Sequence, residues 1–279
     1  MKSSQQTRRR ERPPDAMQSM VQPGSQAEQV GRLVLAVAVV IFLPSLPFGT
    51  YLIYPFAILT TWFHEMGHGL MAIAMGQEFD RLMIFADGSG VAESRLNMDV
   101  SRFTRAIIAA GGPLGPVLAG AGLIIASAHQ RLWRPVLWGT AGAIFASVII
   151  YVRSPVGYAV LPLVAAGISL IAWKASDGIA RFTLQFLGIL GAMSMLRDFN
   201  YLFTEEALIG GERILSDTGA IEAALVLPHW VWAALILTIS VVSVGASLKY
   251  ALSDKRRVRI APKRPANVLQ FKRSSRDKR

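Results

Sequence analysis

Leu52-Ile53-Tyr54-Pro55-Phe56-Ala57-Ile58-Leu59-Thr60-Thr61-Trp62-Phe63-His64-Glu65-Met66-Gly67-His68-Gly69-Leu70-Met71-Ala72-Ile73-Ala74-Met75 decides how the chain is read. It is long and apolar enough to cross a bilayer, which takes about 20 residues. Apart from the Tyr54 phenol, its ionisable groups are His64, Glu65 and His68. Ionisable groups inside a membrane are costly and mark functional sites. The three form His-Glu-x-x-His. On a helix, positions four apart lie about 40° apart in azimuth and one turn apart in height. His64 and His68 can then grip one metal ion from a single face. Glu65 stands beside them as a general base for a water.

Further apolar runs lie on both sides, at 33–49, 104–128, 135–152, 155–173, 182–203 and 226–248. The chain of 279 residues is 52% hydrophobic and only 17% charged, with a mean hydropathy of +0.40. Those values exclude an ordinary soluble domain, in which about a quarter of residues are charged. The expected fold is an all-α polytopic membrane protein of about six to seven transmembrane helices. Pro44 and Pro47 interrupt the first run, so it is the one expected not to cross fully. Between the second and third runs, Phe79–Ala86 and Val91–Leu96 flank Asp87-Gly88-Ser89-Gly90, which reads as a small β-hairpin.

The net charge of +11 is unevenly distributed. Six basic residues lie in 1–32 and twelve between Lys249 and Arg279. Residues 1–30 and 253–279 are therefore read as disordered basic tails around a membrane domain at 31–252. Tails of this kind fit the positive-inside rule and attraction to anionic lipids, not nucleic acid. The rule puts the C-terminal tail in the cytoplasm and the acidic segment 204–225 outside.

Cysteine is absent, so a metal would have to be held by His, Asp or Glu. Zinc in a catalytic site takes three protein ligands and keeps a fourth position open. His129 and His229 sit at the ends of apolar runs, and Asp87 and Glu93 lie in the hairpin. Asp198 is the other carboxylate deep in an apolar run, which makes it the expected third ligand. Asn200 is an expected donor to an oxyanion. Asp217-Thr218-Gly219 matches the aspartic-protease tripeptide, but as a single copy in an acidic loop it carries little weight. Gly111, Gly112, Gly115, Gly120 and Gly122 allow close helix contact in lipid.

These features resemble the site-2 protease family of intramembrane zinc metalloproteases, particularly bacterial M50B-like peptidases. The resemblance rests on His64-Glu65-Met66-Gly67-His68 within a membrane helix. It extends to Gly76, to the hairpin with Asp87-Gly88-Ser89-Gly90-Val91, and to Ala110-Gly111-Gly112-Pro113-Leu114-Gly115-Pro116. It ends on an aspartate in a late membrane helix, Asp198, with Ser216-Asp217 beyond it. Two settings depart from the family's pattern. Gly115 and Pro116 stand near where an Asn is frequent, and Asp198 is followed by Phe199-Asn200 rather than Gly.

The resemblance implies a zinc-dependent hydrolase in a bacterial plasma membrane, cleaving peptide bonds of membrane-embedded substrates with Glu65 as general base. A substrate helix must unwind to expose its carbonyls. Met83, Ile84, Phe85 and Ala86 are the expected edge strand that would hold it extended. Two other classes fit the same residues: a non-catalytic membrane adaptor on this fold, and an ion or solute transporter using the buried His, Glu and Asp groups.

Overall fold

A computed structural model describes residues 26–253; both basic tails, apart from the start of the first helix, lie outside the described residues. In chain order, α1 is Gln26–Phe42, α2 is Gly49–Ala74, β1 is Glu78–Ile84, β2 is Gly90–Arg95 and α3 is Arg102–Ser127. Then follow α4 (Trp133–Ile150), α5 (Pro155–Lys174), α6 (Asp177–Arg197) and the one-turn α7 (Phe199–Leu202). A second hairpin of β3 (Glu206–Ile209) and β4 (Glu212–Leu215) leads into α8 (Asp217–Ala224) and α9 (His229–Ala251). Each expected apolar run lies mainly on a helix, and the first, expected not to cross fully, lies on one long and apolar enough to do so, because Pro44 and Pro47 fall beyond the end of α1. The chain is a polytopic, essentially all-α membrane protein with small two-stranded hairpins.

Six helices, α1, α3, α4, α5, α6 and α9, are long and apolar enough to cross a membrane. The helix that carries the chemistry, α2, is longer than most of these, yet its polar residues keep it out of that group. It lies inside the bundle, and its Ile58 and Leu59 are fully buried. Its Trp62 indole N–H donates to Ser147 Oγ of α4 at 2.8 Å.

Glycine sets the distance between α2 and α3. A Cβ on Gly67 would lie 2.2 Å from the Gly111 carbonyl oxygen, and one on Gly115 would lie 2.6 Å from that of Phe63. No side chain fits there, so the two backbones touch, as small residues permit in lipid. The same device joins α3 to α6, where a Cβ on Gly120 would meet the Gly188 carbonyl at 2.5 Å. Gly122 has open space around it and takes no part.

The first hairpin is antiparallel, with Leu82 opposite Ala92 and Ile84 opposite Gly90. Its turn is fastened to α2. Thr61 Oγ1 donates to Gly88 O at 2.6 Å and Tyr54 Oη donates to Ala86 O at 3.0 Å. Asp87 Oδ1 accepts from both the amide and the hydroxyl of Ser89, which holds the Asp87 carboxyl below its usual range. Gly88, at φ +87°, supplies a left-handed turn conformation that suits glycine.

Candidate metal centre

The site forms where α2, α3, the first hairpin and α8 meet. His64 and His68 are on one face of α2 with ring centroids 5.0 Å apart. Both face the backbone of α3 at Gly112, where a Cβ would lie 2.1 Å from His68 Nε2 and 2.7 Å from His64 Nε2. Only a residue without a side chain leaves those nitrogens room. A Gly112→Ala protein should fold, since α3 is otherwise unchanged, yet lose metal. Overpacking of roughly 1–3 kcal/mol aimed at the ligand atoms corresponds to about 5- to 150-fold weaker binding. Metal content of the purified protein checks this.

The third group is Asp217. Its Oδ2 lies 3.0 Å from His64 Nε2 and its Oδ1 lies 3.1 Å from His68 Nε2. One ligand atom from each of the three residues falls within 4.8 Å of the others. Among the described residues this is the group that could hold a metal ion.

The donor atoms themselves test the fit. His68 Nδ1 stands 2.8 Å from the Ile108 carbonyl oxygen, which can only accept, so Nδ1 carries a proton. A neutral His68 then presents a bare Nε2 to a carboxylate oxygen. This second bond fixes the tautomer, as is usual for a histidine that ligates metal. Asp217 Oδ2 is buried and makes no hydrogen bond despite its approach to His64. A cation shared between the Asp217 oxygens and the imidazole nitrogens would satisfy these atoms together. Two imidazoles and a carboxylate suit a divalent transition metal.

Asp217 is positioned by the start of α8. Ser216 is the N-cap and its hydroxyl accepts from the Gly219 amide at 3.0 Å. The Ser216 amide donates to Glu205 O at 2.8 Å, and Thr218 Oγ1 donates to Leu202 O at 2.7 Å. The Asp217 amide donates to Tyr201 Oη at 3.2 Å. A Cβ on Gly219 would sit 2.2 Å from Glu205 O. The Asp-Thr-Gly tripeptide is thus a helix start pinned against α7, and its aspartate serves the histidines.

Asp198, the ligand expected from the sequence, does not join this group. It is the residue at which α6 ends. There its half-buried side chain lines the wall of the cavity, while the chain continues through α7 and the second hairpin and returns Asp217 to the imidazoles. Asn200 is also displaced from its expected role. It is exposed and does not line the cavity, whereas its neighbour Tyr201 does. Consecutive residues of a helical turn point about 100° apart, and α7 turns Tyr201 inward. The Tyr201 ring centroid is 6.4 Å from that of His64.

Glu65 is 5% exposed and lies under the hairpin. A Cβ on Gly90 would come within 2.8 Å of Glu65 Oε1. The Ala92 amide lies within bonding reach of the Glu65 carboxylate. The remaining histidines are elsewhere. His129 Nε2 is 3.0 Å from Tyr250 Oη. His229 bonds Glu222 through both its amide and Nδ1, which holds the Glu222 carboxyl below its usual range.

These groups open into one cavity of about 770 Å³, between the first hairpin and the apolar residues of β3 and β4. The hairpin tips touch, since a Cβ on Gly210 would lie 2.6 Å from the Phe85 ring. The expected edge strand at Met83–Ala86 is not available. Leu82 N–H donates to Tyr151 O and Leu82 O accepts from Arg153 N–H, both at 2.9 Å. Ile84 N–H donates to Ser154 Oγ at 3.0 Å, and Phe85 N–H closes the turn onto Ser89 O. The outer edge of β1 is therefore occupied. Because Leu82 turns both its polar groups away from β2, the Leu82–Ala92 pair exchanges no bonds. The Ala92 N–H and C=O then face outward, as do those of Gly90 and Ser94. All three residues line the cavity.

Helices that cross a membrane, with two histidines and an aspartate converging at the depth of a buried glutamate, define a membrane protein built around a possible metal centre. A family model described as Peptidase M50B-like matches residues 32–247, more than three quarters of the chain. The chain belongs to that family and so to the site-2 proteases, a group of membrane metallopeptidases. No curated protein and no solved structure matches it.

Proposed function

We propose that the protein is an intramembrane zinc metalloprotease that hydrolyses peptide bonds of membrane-embedded substrates. The observation that carries this reading is the convergence of His64, His68 and Asp217 beside the buried Glu65 in one cavity. His64 Nε2, His68 Nε2 and one oxygen of Asp217 would hold the ion. Bound zinc supplies Lewis acidity toward an amide carbonyl and a water.

The remaining work falls to the chain itself. Glu65 takes a proton from the attacking water and returns it to the leaving amine. Its place beneath the hairpin excludes bulk water from that transfer. The Tyr201 hydroxyl accepts from the Asp217 amide, which leaves its own proton free for an acceptor in the site. The outward Gly90 and Ser94 backbone and the Ala92 carbonyl offer donors and acceptors to an extended segment, so an unwound substrate would add as a strand to β2.

Trapping tests the reading in cells. Membrane proteins that accumulate with a Glu65→Gln protein, and not with wild type, are its substrates; no accumulation speaks against the proposal. The strand addition has its own test. Ser94→Pro removes an outward N–H that Glu65 does not share, without touching a β1–β2 bond, and should cut turnover about tenfold while metal stays bound. Equal turnover in Ser94→Pro and wild type would remove β2 from the mechanism. By the positive-inside rule the basic C-terminal end is cytoplasmic, with the basic residues at both ends meeting anionic lipid.

A further inference from the structure

The cavity is electrically lopsided along β2. At the turn end, Arg197 reaches toward the hairpin, with its Nη2 3.7 Å from where a Cβ on Gly88 would stand. Two carboxylates, Asp87 and Asp198, line the cavity beside it and offset its charge. At the opposite end, beyond Ser94 and Leu96, the lining passes to Arg105 of α3, one turn before Ile108 and its bond to His68. Arg105 is exposed, and its guanidinium makes no ion pair or hydrogen bond among the described residues. Arg102 stands in the same turn, with no acidic residue there. The nearest carboxylate along the chain, Asp99, does not line the cavity.

Cations are disfavoured at the first turn of a helix, where the backbone already presents positive charge. Helix stability therefore does not account for Arg105. Arg105 lines the cavity together with Ser94 and Leu96, at the end toward which β2 runs and by which a strand added to β2 would leave.

We propose that Arg105 forms a subsite for an acidic side chain, so that favoured substrates carry Asp or Glu on one flank of the cleaved segment. This rests on the strand-addition reading above. β2 runs from the turn toward Arg105, so a strand added antiparallel would bring its N-terminal flank to Arg105. Antiparallel pairing is the slightly more stable arrangement.

The test uses three labelled peptides sharing one apolar six-residue core: Asp on the N-terminal flank, Asp on the C-terminal flank, and Asn on both. Binding is measured to the metal-loaded Glu65→Gln protein in phosphatidylcholine nanodiscs. The N-terminal Asp peptide should bind about fivefold more tightly than the Asn peptide, the upper range for a solvent-accessible ion pair. The C-terminal Asp peptide should stay within about twofold of the Asn peptide. The preference should vanish when Arg105→Gln is added, with metal content unchanged, and shrink in about 0.5 M salt.

A preference for the C-terminal Asp that Arg105→Gln abolishes keeps the subsite and reverses the strand direction. Equal binding of all three, a preference that survives Arg105→Gln, or no binding at all overturns the inference. Charge-selective binding with no cleavage by the wild-type protein would instead defeat the protease reading and leave the subsite standing.

Discussion

Glu65→Gln protein should bind metal as wild type does and cleave at least about a hundredfold more slowly. General-base catalysis contributes typically 10²–10⁴-fold. Glutamine keeps the shape of the side chain and its ability to hydrogen-bond the β2 backbone, but it cannot take a proton from water. The three groups that converge on the ion position do not include Glu65, so their geometry stays as it is. Single-turnover cleavage of a membrane peptide, together with metal analysis of the same sample, reads both quantities. Cleavage within about tenfold of wild type would show that another group moves the proton. Loss of metal would place Glu65 among the ligands.

Asp217→Ala should leave the purified protein essentially without metal, while Asp198→Asn should retain it. Both aspartates line the cavity, yet only Asp217 has its two oxygens set 3.0 and 3.1 Å from the histidine nitrogens. Removing it leaves two imidazoles on one helix turn. Loss of a group that merely orients a ligand typically costs 10–100-fold in affinity, and loss of a ligand should exceed that. Metal per chain after dialysis against a weak chelator separates the two variants. Loss in Asp198→Asn with retention in Asp217→Ala would return the role to the end of α6.

The part of the site carried by one helix was legible from residue spacing, because helical geometry alone sets His64, Glu65 and His68 relative to one another. The fold was legible for a similar reason, since hydrophobic length marks a membrane segment without knowledge of its neighbours. The carboxylate that joins the histidines was harder to read. Burial in an apolar run favoured Asp198, but the carboxylate that reaches the histidines arrives from a polar segment that folds back. Ser216-Asp217-Thr218-Gly219 does carry a signal, namely a serine N-cap opening a short helix. That signal says where a helix starts and nothing about what it faces. The edge strand failed on the same kind of long-range fact. Nothing near Met83–Ala86 announces that residues 151–154, far along the chain, occupy β1.

The contact of Gly67 with Gly111, and of Gly115 with Phe63, has an evolutionary consequence. A slide of one residue along either axis would press a side chain against a main-chain carbonyl, so α2 and α3 admit a single register. That seam indexes the imidazoles from within the bundle. The first hairpin and the Arg105 turn are attached around it and do not set it, whereas the second hairpin and the start of α8 bring Asp217 to it. On the proposed reading, the imidazoles and the contacts that would choose a substrate thereby belong to separate parts of the chain. Changes in β2 and the rim can then alter what binds while the imidazoles stay where the glycines hold them.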